Sequence, residues 1–326
     1  MRVHILDDWF DTLRQLPCFR KLEHHETTIW NDHIEDVDVL AERLADAEAL
    51  CLFRERTAIR KPLIERLPNL KIVSQRSVWP HIDVDVLTRR GILLCSSQHA
   101  ETPSFATAEL TWALILTAMR QIPAQQDSLK AGCWQMGVGR SVRGRTLGLY
   151  GYGRIARLVA DYAKAFGLNV VWWASEEGRA RAEANGERVA KSRRAFFAEP
   201  DIISIHVRLN SSTQGLITAS DLAAMRSDSL FVNTSRAELV EPNQLLAALN
   251  AGRPGGAAVD VFENEPLTNR DDPLVNHPNV LCTPHIGYVT EDEYELQFSD
   301  IFDQVNAFAR GAPINVINTE ALGLLT

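Results

Sequence analysis

The chain has 326 residues, 45% of them hydrophobic and 23% charged, with a formal charge of −8 and a pI near 5.6. That length suits two domains with real cores, and the acidic balance excludes a general nucleic-acid surface, which needs clustered positive charge. Five scattered cysteines without a C-x-x-C pair argue against a disulfide framework or a zinc site, so no metal is expected and a reduced, cytoplasmic setting is.

The N-terminus enters a strand pattern at once and shows no secretory h-region. Val3 to Leu6 reads as a strand, Leu13 to Leu22 as a helix, Thr27 to Trp30 as a strand, Val37 to Ala45 as a helix and Ala49 to Phe53 as a strand. A short helix near Leu63, a strand at Leu70 to Ser74, a helix at Val84 to Arg90 stopped by Gly91, and a strand at Ile92 to Cys95 follow. Such alternation predicts a parallel sheet covered on both faces. Thr102 and Pro103 then suit the N-cap and first residue of a long helix through Met119, with a second helix over Gln125 to Gly132. The most apolar part of the long helix, Trp112 to Met119, is too short and interrupted to span a bilayer, so no membrane partner is expected.

Alternation restarts at Thr146 and continues through strands at Ile202 to His206, Ser229 to Asn233, Ala257 to Phe262 and Val280 to Cys282, with a helix at Pro242 to Ala251. Glu291 to Ala309 reads as a helix and the tail through Asn315 and Val316 as extended. The pattern predicts an α/β chain of two domains, residues 1–101 with 288–326, and residues 102–287. Two connections would join them and leave a cleft, the default place for a ligand.

The sharpest local signal is Thr146 to Trp173. Apolar Leu147 to Tyr150 runs into Gly151, Tyr152 and Gly153, and Ala156 takes the last small position of a G-x-G-x-x-G/A fingerprint. Gly151 suits the turn, Gly153 lets the backbone approach a pyrophosphate, and Ala156 allows helix and strand to pack closely. Ile155, Val159, Tyr162, Ala163 and Phe166 recur at helical spacing, Gly167 stops the helix, and Asn169 to Trp173 is a second strand. A dinucleotide-binding βαβ unit follows, its helix N-terminus facing the phosphates.

Three later stretches set polar residues at strand ends, where parallel α/β sheets bind ligands. In LFVNTSRAELVEP the strand runs into Asn233, Thr234, Ser235 and Arg236. In AAVDVFENEP, Asp260 interrupts an apolar run and Glu265 precedes Pro266, while Glu263 fits a solvated acid. In VLCTPHIGY, His285 follows a strand and can move a proton near neutral pH, with Glu265 and Arg236 as candidate partners. His206 suits a cofactor-lining place and not the base, and His4, His24, His25, His33, His99 and His277 have no comparable setting.

LGLYGYGRIA, VNTSRAELVE, AVDVFENEPL and CTPHIGY together resemble, in order and spacing, the signatures of the D-isomer-specific 2-hydroxyacid dehydrogenases, including phosphoglycerate dehydrogenase-like members. The resemblance covers nearly the whole chain. It implies a Rossmann-type doubly wound cofactor domain and a flavodoxin-like substrate domain, an oxidoreductase working with NAD(P) on a small 2-oxo or 2-hydroxy acid, and a homodimer. It places the catalytic roles on Arg236, Glu265 and His285. It also implies Arg154 and Ile155 at the pyrophosphate, Thr234, Ser235 and Asp260 near the nicotinamide, and Gly151, Gly153, Ser175 and Tyr288 as further cofactor contacts.

Two stretches depart from the pattern. The family's glycine-rich carboxylate loop is here Gln75 to His81, without glycine. The Ser77 and Val78 amides are still expected to bind carboxylate, with Trp79 either narrowing the pocket or packed into the core. Arg54 is a further candidate for an acidic substrate, and Trp134 another residue for the pocket. The acid that grips the ribose 2′-hydroxyl of NAD is replaced by Ala174, followed by Ser175, Glu176 and Glu177, with Arg179 and Arg208 nearby. NAD is favoured and NADP is not excluded. A dinucleotide-sensing regulator on the same fold is the alternative function. A methyltransferase would explain the glycine loop alone.

Overall fold

The computed structural model describes residues 1–97 and 105–324, so the N-cap expected at Thr102 and Pro103, and His99, lie outside the described residues. The chain forms two compact units, Met1–Thr102 with Thr290–Thr326, and Pro103–Val289.

The first unit holds strands β1 (Arg2–Ile5), β2 (Glu26–Ile29), β3 (Ala49–Cys51), β4 (Ile72–Arg76) and β5 (Leu93–Ser97), all parallel in the order β2-β1-β3-β4-β5. That is the flavodoxin-like order. Helices α1 (Val37–Arg43), α2 (Lys61–Ile64) and α3 (Val84–Arg89) cover one face, where Leu40, Leu44, Leu63, Ile64 and Leu87 meet Leu50, Val73 and Leu94. Asp36 starts α1 by accepting the Asp38 and Val39 amides. Alternation along β4 turns Ser74 to the opposite face, where it donates to the Ile301 carbonyl of the helix Glu291–Ala309 at 2.8 Å. Leu13 to Leu22 is not one helix. Pro17 disfavours helical geometry at the residue before it, so Leu16 is extended between two short 3₁₀ turns, Leu13–Gln15 and Pro17–Leu22. The tail is extended at Val316, which bridges to Cys95.

The second unit begins with α4 (Phe105–Arg120) and α5 (Ile122–Lys130). Its parallel sheet is built from β6 (Thr146–Tyr150), β7 (Asn169–Trp173), β8 (Ile202–Ile205), β9 (Leu230–Asn233), β10 (Gly256–Val259) and β11 (Val280–Cys282), in the order β11-β10-β9-β8-β6-β7. A single parallel bridge from Val189 to Trp172 adds a vestigial strand beyond β7, which completes the doubly wound pattern. Strands buried on both faces read as unbroken apolar runs. Leu230 and Val232 face α4 and α6 (Arg154–Ala165), while Phe231 faces α8 (Arg193–Ala198), α9 (Ala219–Ala224) and α10 (Gln244–Asn250). The capped helix α7 (Glu176–Ala184), together with α8 and α9, has no counterpart in the sequence reading. Helix α10 starts at Gln244, because Asn243 before it is left-handed at φ 62°. The last helix, α11 (Glu291–Ala309), returns to the first unit with three acids in its first turn, which suit the positive end of the helix dipole.

Among the described residues, no helix is long and apolar enough to cross a membrane, and no cluster of His, Cys, Asp and Glu could hold a metal. Cys51 and Cys95 are fully buried, and burial pushes the Cys95 thiol up to about 12. Cys282 is half-buried on β11 at the end of the sheet and packs against the core of the second unit.

Candidate active site

The glycine turn sits where the order of the second sheet reverses. Strands β8 and β7 flank β6 on opposite sides, and ligands bind outside the carboxyl ends of strands at such a point. Gly151 has φ 108°, and a Cβ there would stand 2.2 Å from the His206 carbonyl oxygen. Gly153 begins α6 with open space around the position a Cβ would take, room for a ligand against the helix N-terminus. Ala156 is fully buried with Val159, Ala160 and Ala163, so the close helix face is more alanine-rich than the predicted one, and Phe166 is 48% exposed. The turn therefore fits a dinucleotide. Gly151→Ala is expected to destabilise the protein by about 2–5 kcal/mol, from overpacking and the disfavoured φ, read as a lower urea midpoint.

The end of β7 carries no acid. Ala174 is buried, and the Ser175 hydroxyl caps α7 by accepting the Gly178 amide at 3.2 Å. Arg179 donates to the Ala174 carbonyl at 2.7 Å and lies over the Trp173 ring at 4.4 Å, which sets a guanidinium beside the strand end.

The three strand-end stretches build one polar cluster on β9, β10 and β11. Asn233, at the end of β9, donates to the Arg236 carbonyl at 2.8 Å and accepts the Ser235 amide at 3.0 Å, so it shapes the loop that carries Arg236. Arg236 donates to the Ser235 carbonyl at 2.7 Å. The Ser235 hydroxyl donates to the Ile205 carbonyl at 2.9 Å. On the next strand, Asp260 is fully buried and its amide donates to the Asn233 carbonyl. Its carboxylate accepts from the Thr283 hydroxyl at 2.6 Å, the Ile286 amide at 2.9 Å and the Gly287 amide at 2.8 Å. Burial nonetheless raises the Asp260 carboxyl above its ordinary value. Both Asp260 oxygens thus serve the turn around His285, a role invisible in the strand pattern.

His285 Nδ1 stands 2.5 Å from Glu265 Oε2, and the other Glu265 oxygen accepts the Phe262 amide at 2.8 Å. Burial opposes ionisation of Glu265. The bond to His285, its charge, the Phe262 amide and the nearby Arg236 together outweigh that and hold the carboxyl below its ordinary value. The Tyr288 ring meets the imidazole edge-on at 5.5 Å. Glu263 is exposed, as expected of a solvated acid, and accepts the Asn243 amide at 2.8 Å. A carboxyl depressed in the folded state stabilises that state above its unfolded pKa, and the contribution is lost as pH falls through the lower folded value. Glu265→Gln is therefore expected to reduce the thermal midpoint at neutral pH and to flatten its fall below about pH 4.5, the ordinary glutamate value.

His206 approaches Ser204 Oγ through Nε2 at 2.9 Å, and burial pushes its pKa down to about 4, although its edge reaches solvent. It stays neutral near pH 7, which does not suit it to proton exchange.

In the first unit, the Ser77 amide of the loop Gln75 to His81, expected to meet a carboxylate, is already committed within the protein. Ser77 has φ 82°, and its amide already donates to the Ser97 carbonyl at 3.0 Å. Buried Gln75 donates through Nε2 to the carbonyls of Ser77 at 3.3 Å and Val78 at 3.2 Å. In a trans peptide the N–H points opposite the C=O. Pinning both carbonyls inward therefore turns the Val78 and Trp79 amides outward together, and neither has an acceptor among the described residues. Trp79 packs against the core of this unit, half-buried. Arg54 follows β3 in a left-handed conformation at φ 64°. His33, set aside on sequence, has a carboxylate partner: buried Asp7 lies 2.8 Å from its Nδ1 and accepts the Thr57 hydroxyl at 2.7 Å. Trp134 is 78% exposed in the loop after α5.

A family model described as D-isomer specific 2-hydroxyacid dehydrogenase, NAD binding domain, matches residues 112–287. A structure described as a D-3-phosphoglycerate dehydrogenase oxidoreductase from Ralstonia solanacearum is 44% identical, with 98% of each chain covered and a TM-score of 0.94. A phosphoglycerate oxidoreductase structure from Vibrio cholerae is 44% identical, covering 96% of this chain and 100% of that one at a TM-score of 0.91. A glyoxylate reductase from Thermococcus litoralis is 32% identical over 91% of this chain and 92% of its own.

Proposed function

The chain belongs to the D-isomer-specific 2-hydroxyacid dehydrogenase family of NAD(P)-dependent oxidoreductases acting on CH–OH groups, and we propose that it interconverts a small D-2-hydroxy acid and its 2-oxo acid, with His285 as proton carrier. The observation that carries the reading is the 2.5 Å contact of His285 Nδ1 with Glu265, whose carboxyl also feels Arg236. Nicotinamide cofactor, when bound, gives or takes the hydride at C2 of the substrate. The fingerprint residues Gly151, Gly153, Arg154 and Ile155 would hold its pyrophosphate, with Ser175 at the ribose and Thr234, Ser235 and Tyr288 toward the nicotinamide.

With Nδ1 committed to Glu265, Nε2 is the nitrogen that meets substrate. In reduction it gives a proton to the carbonyl oxygen; in oxidation the neutral ring takes the proton of the 2-hydroxyl. Glu265 fixes the ring and favours its charged form. Arg236 holds the substrate carboxylate and polarises the carbonyl, work for which a planar guanidinium fork is suited. The paired Val78 and Trp79 amides are the carboxylate donors of the first unit, a shift of one residue from Ser77 and Val78, and Arg54 adds positive charge for an acidic substrate.

The test is a panel of 2-oxo acids, including glyoxylate, hydroxypyruvate and bulkier members, each assayed with NADH and NADPH by cofactor absorbance. Turnover of at least one supports the reading. Tight cofactor binding with turnover of none favours the dinucleotide-sensing regulator. Comparing kcat/KM for the two cofactors decides between the missing acid with Arg179, which suit a 2′-phosphate, and the repelling Glu176 and Glu177.

The assembly we propose is a homodimer. Leu129 of α5 and Trp134, Met136 and Val138 of the following loop are 59%, 78%, 45% and 93% exposed, apolar side chains that a second copy would cover. Light scattering should give twice the 36.4 kDa chain mass, and a single-chain mass would contradict the dimer.

A further inference from the structure

The turn that carries His285 is gripped from a second side, by a helix far away in sequence. Thr107 of α4 donates its hydroxyl to the Gly287 carbonyl at 2.9 Å, while the Gly287 amide donates to Asp260. Both backbone polar groups of Gly287 are thus committed. The site has little slack, since a Cβ on Gly287 would stand 3.2 Å from Asp260 Oδ2 and 3.4 Å from Thr107 Cγ2.

Thr107 is itself held in place. Thr111 Oγ1 donates to the Thr107 carbonyl at 2.8 Å and lies 2.7 Å from Thr234 Oγ1. A hydroxyl has one proton to give, so Thr234 must be the donor of the second bond. Thr111 is fully buried, and Thr234 precedes Arg236 by two residues. A line of hydroxyls along α4 therefore ties the strand end that carries Arg236 to the turn that carries His285.

His285 needs such support. It has φ 53°, a left-handed conformation that side chains with a Cβ adopt at a cost. Such residues persist when their surroundings over-determine them. We propose that Thr107 is a positioning residue for His285: through Gly287 it fixes the turn whose left-handed residue carries the imidazole, without touching a reacting atom. The proposal rests on His285 being the proton carrier.

Thr107→Val keeps the shape and removes the donor. The expected result is a fall in kcat of about tenfold, within the range that small misplacements of catalytic groups produce. The Kd for NADH should stay within about twofold, the kcat pH profile should shift, and Thr107→Ser should restore kcat to within about twofold. Amide hydrogen exchange at Gly287 should rise about tenfold in the valine variant and not in the serine variant. Unchanged kcat and pH profile, unchanged exchange, or a loss that serine does not restore would each overturn the proposal. Should Thr107→Val not fold, wild type against Thr107→Ala gives the same exchange comparison. Failure of the underlying function reading shows separately, as turnover retained by His285→Ala.

Discussion

Replacing His285 by alanine is expected to lower kcat by about a hundredfold to ten-thousandfold, the usual contribution of a positioned acid or base, while the Kd for NADH stays within about twofold. The expectation follows from how the ring is held. Its Nδ1 is committed to Glu265 at 2.5 Å, and the backbone of the two residues after it is fixed by bonds to Asp260 on one side and Thr107 on the other. A histidine held in a left-handed conformation, where glycine would carry no strain, is an expensive way to fill space unless the imidazole has a task. Stopped-flow turnover and fluorescence titration with NADH separate the two quantities. Retained turnover would remove His285 from the chemistry.

Arg236→Lys is expected to lower kcat/KM for the 2-oxo acid by about tenfold to a hundredfold, the scale of a lost charge-assisted hydrogen bond. Lysine keeps the charge, so any loss reports geometry. The Arg236 backbone is set by Asn233, and one guanidinium nitrogen donates to the Ser235 carbonyl, which orients the fork toward the strand end. An ammonium on a flexible stem lacks both the fork and that anchor. Because Arg236 also acts on Glu265, the loss should appear in kcat as well as in KM. Steady-state kinetics over a range of 2-oxo acid concentrations checks this, and an unchanged kcat/KM would assign carboxylate binding elsewhere.

What could be read from sequence was local. The glycine turn, the strands before Asn233, Asp260 and His285, and the pairing of His285 with Glu265 follow from apolar runs ending in polar residues, because parallel sheets put those ends together. Partnerships that depend on neighbouring strands were not legible. The Ser77 amide is taken by Ser97, on the adjacent strand β5, so the outward amides fall on Val78 and Trp79. Asp260 was expected near the nicotinamide, but nothing in its own segment reveals that both its oxygens serve residues 283–287. Thr107 and Thr111 look like ordinary helix residues, and the His33 pairing with Asp7 needs β1 and the chain beyond β2 side by side. Helix boundaries failed where one residue overrides periodicity, as Pro17 does after Leu16 and left-handed Asn243 does before α10. Helices α7 to α9 escaped because they are short and, in α7, largely polar.

Transfer of the label from NADH deuterated at both C4 positions, or from the NADPH analogue if that cofactor is preferred, tests hydride delivery to C2 with His285 as the proton carrier. With a 2-oxo acid that the enzyme turns over, deuterium should appear at C2 of a product of D configuration, and His285→Ala should form that product far more slowly at unchanged cofactor affinity. A product without deuterium at C2, a racemic or L product, or unchanged formation by His285→Ala would contradict hydride transfer with His285 as the proton carrier.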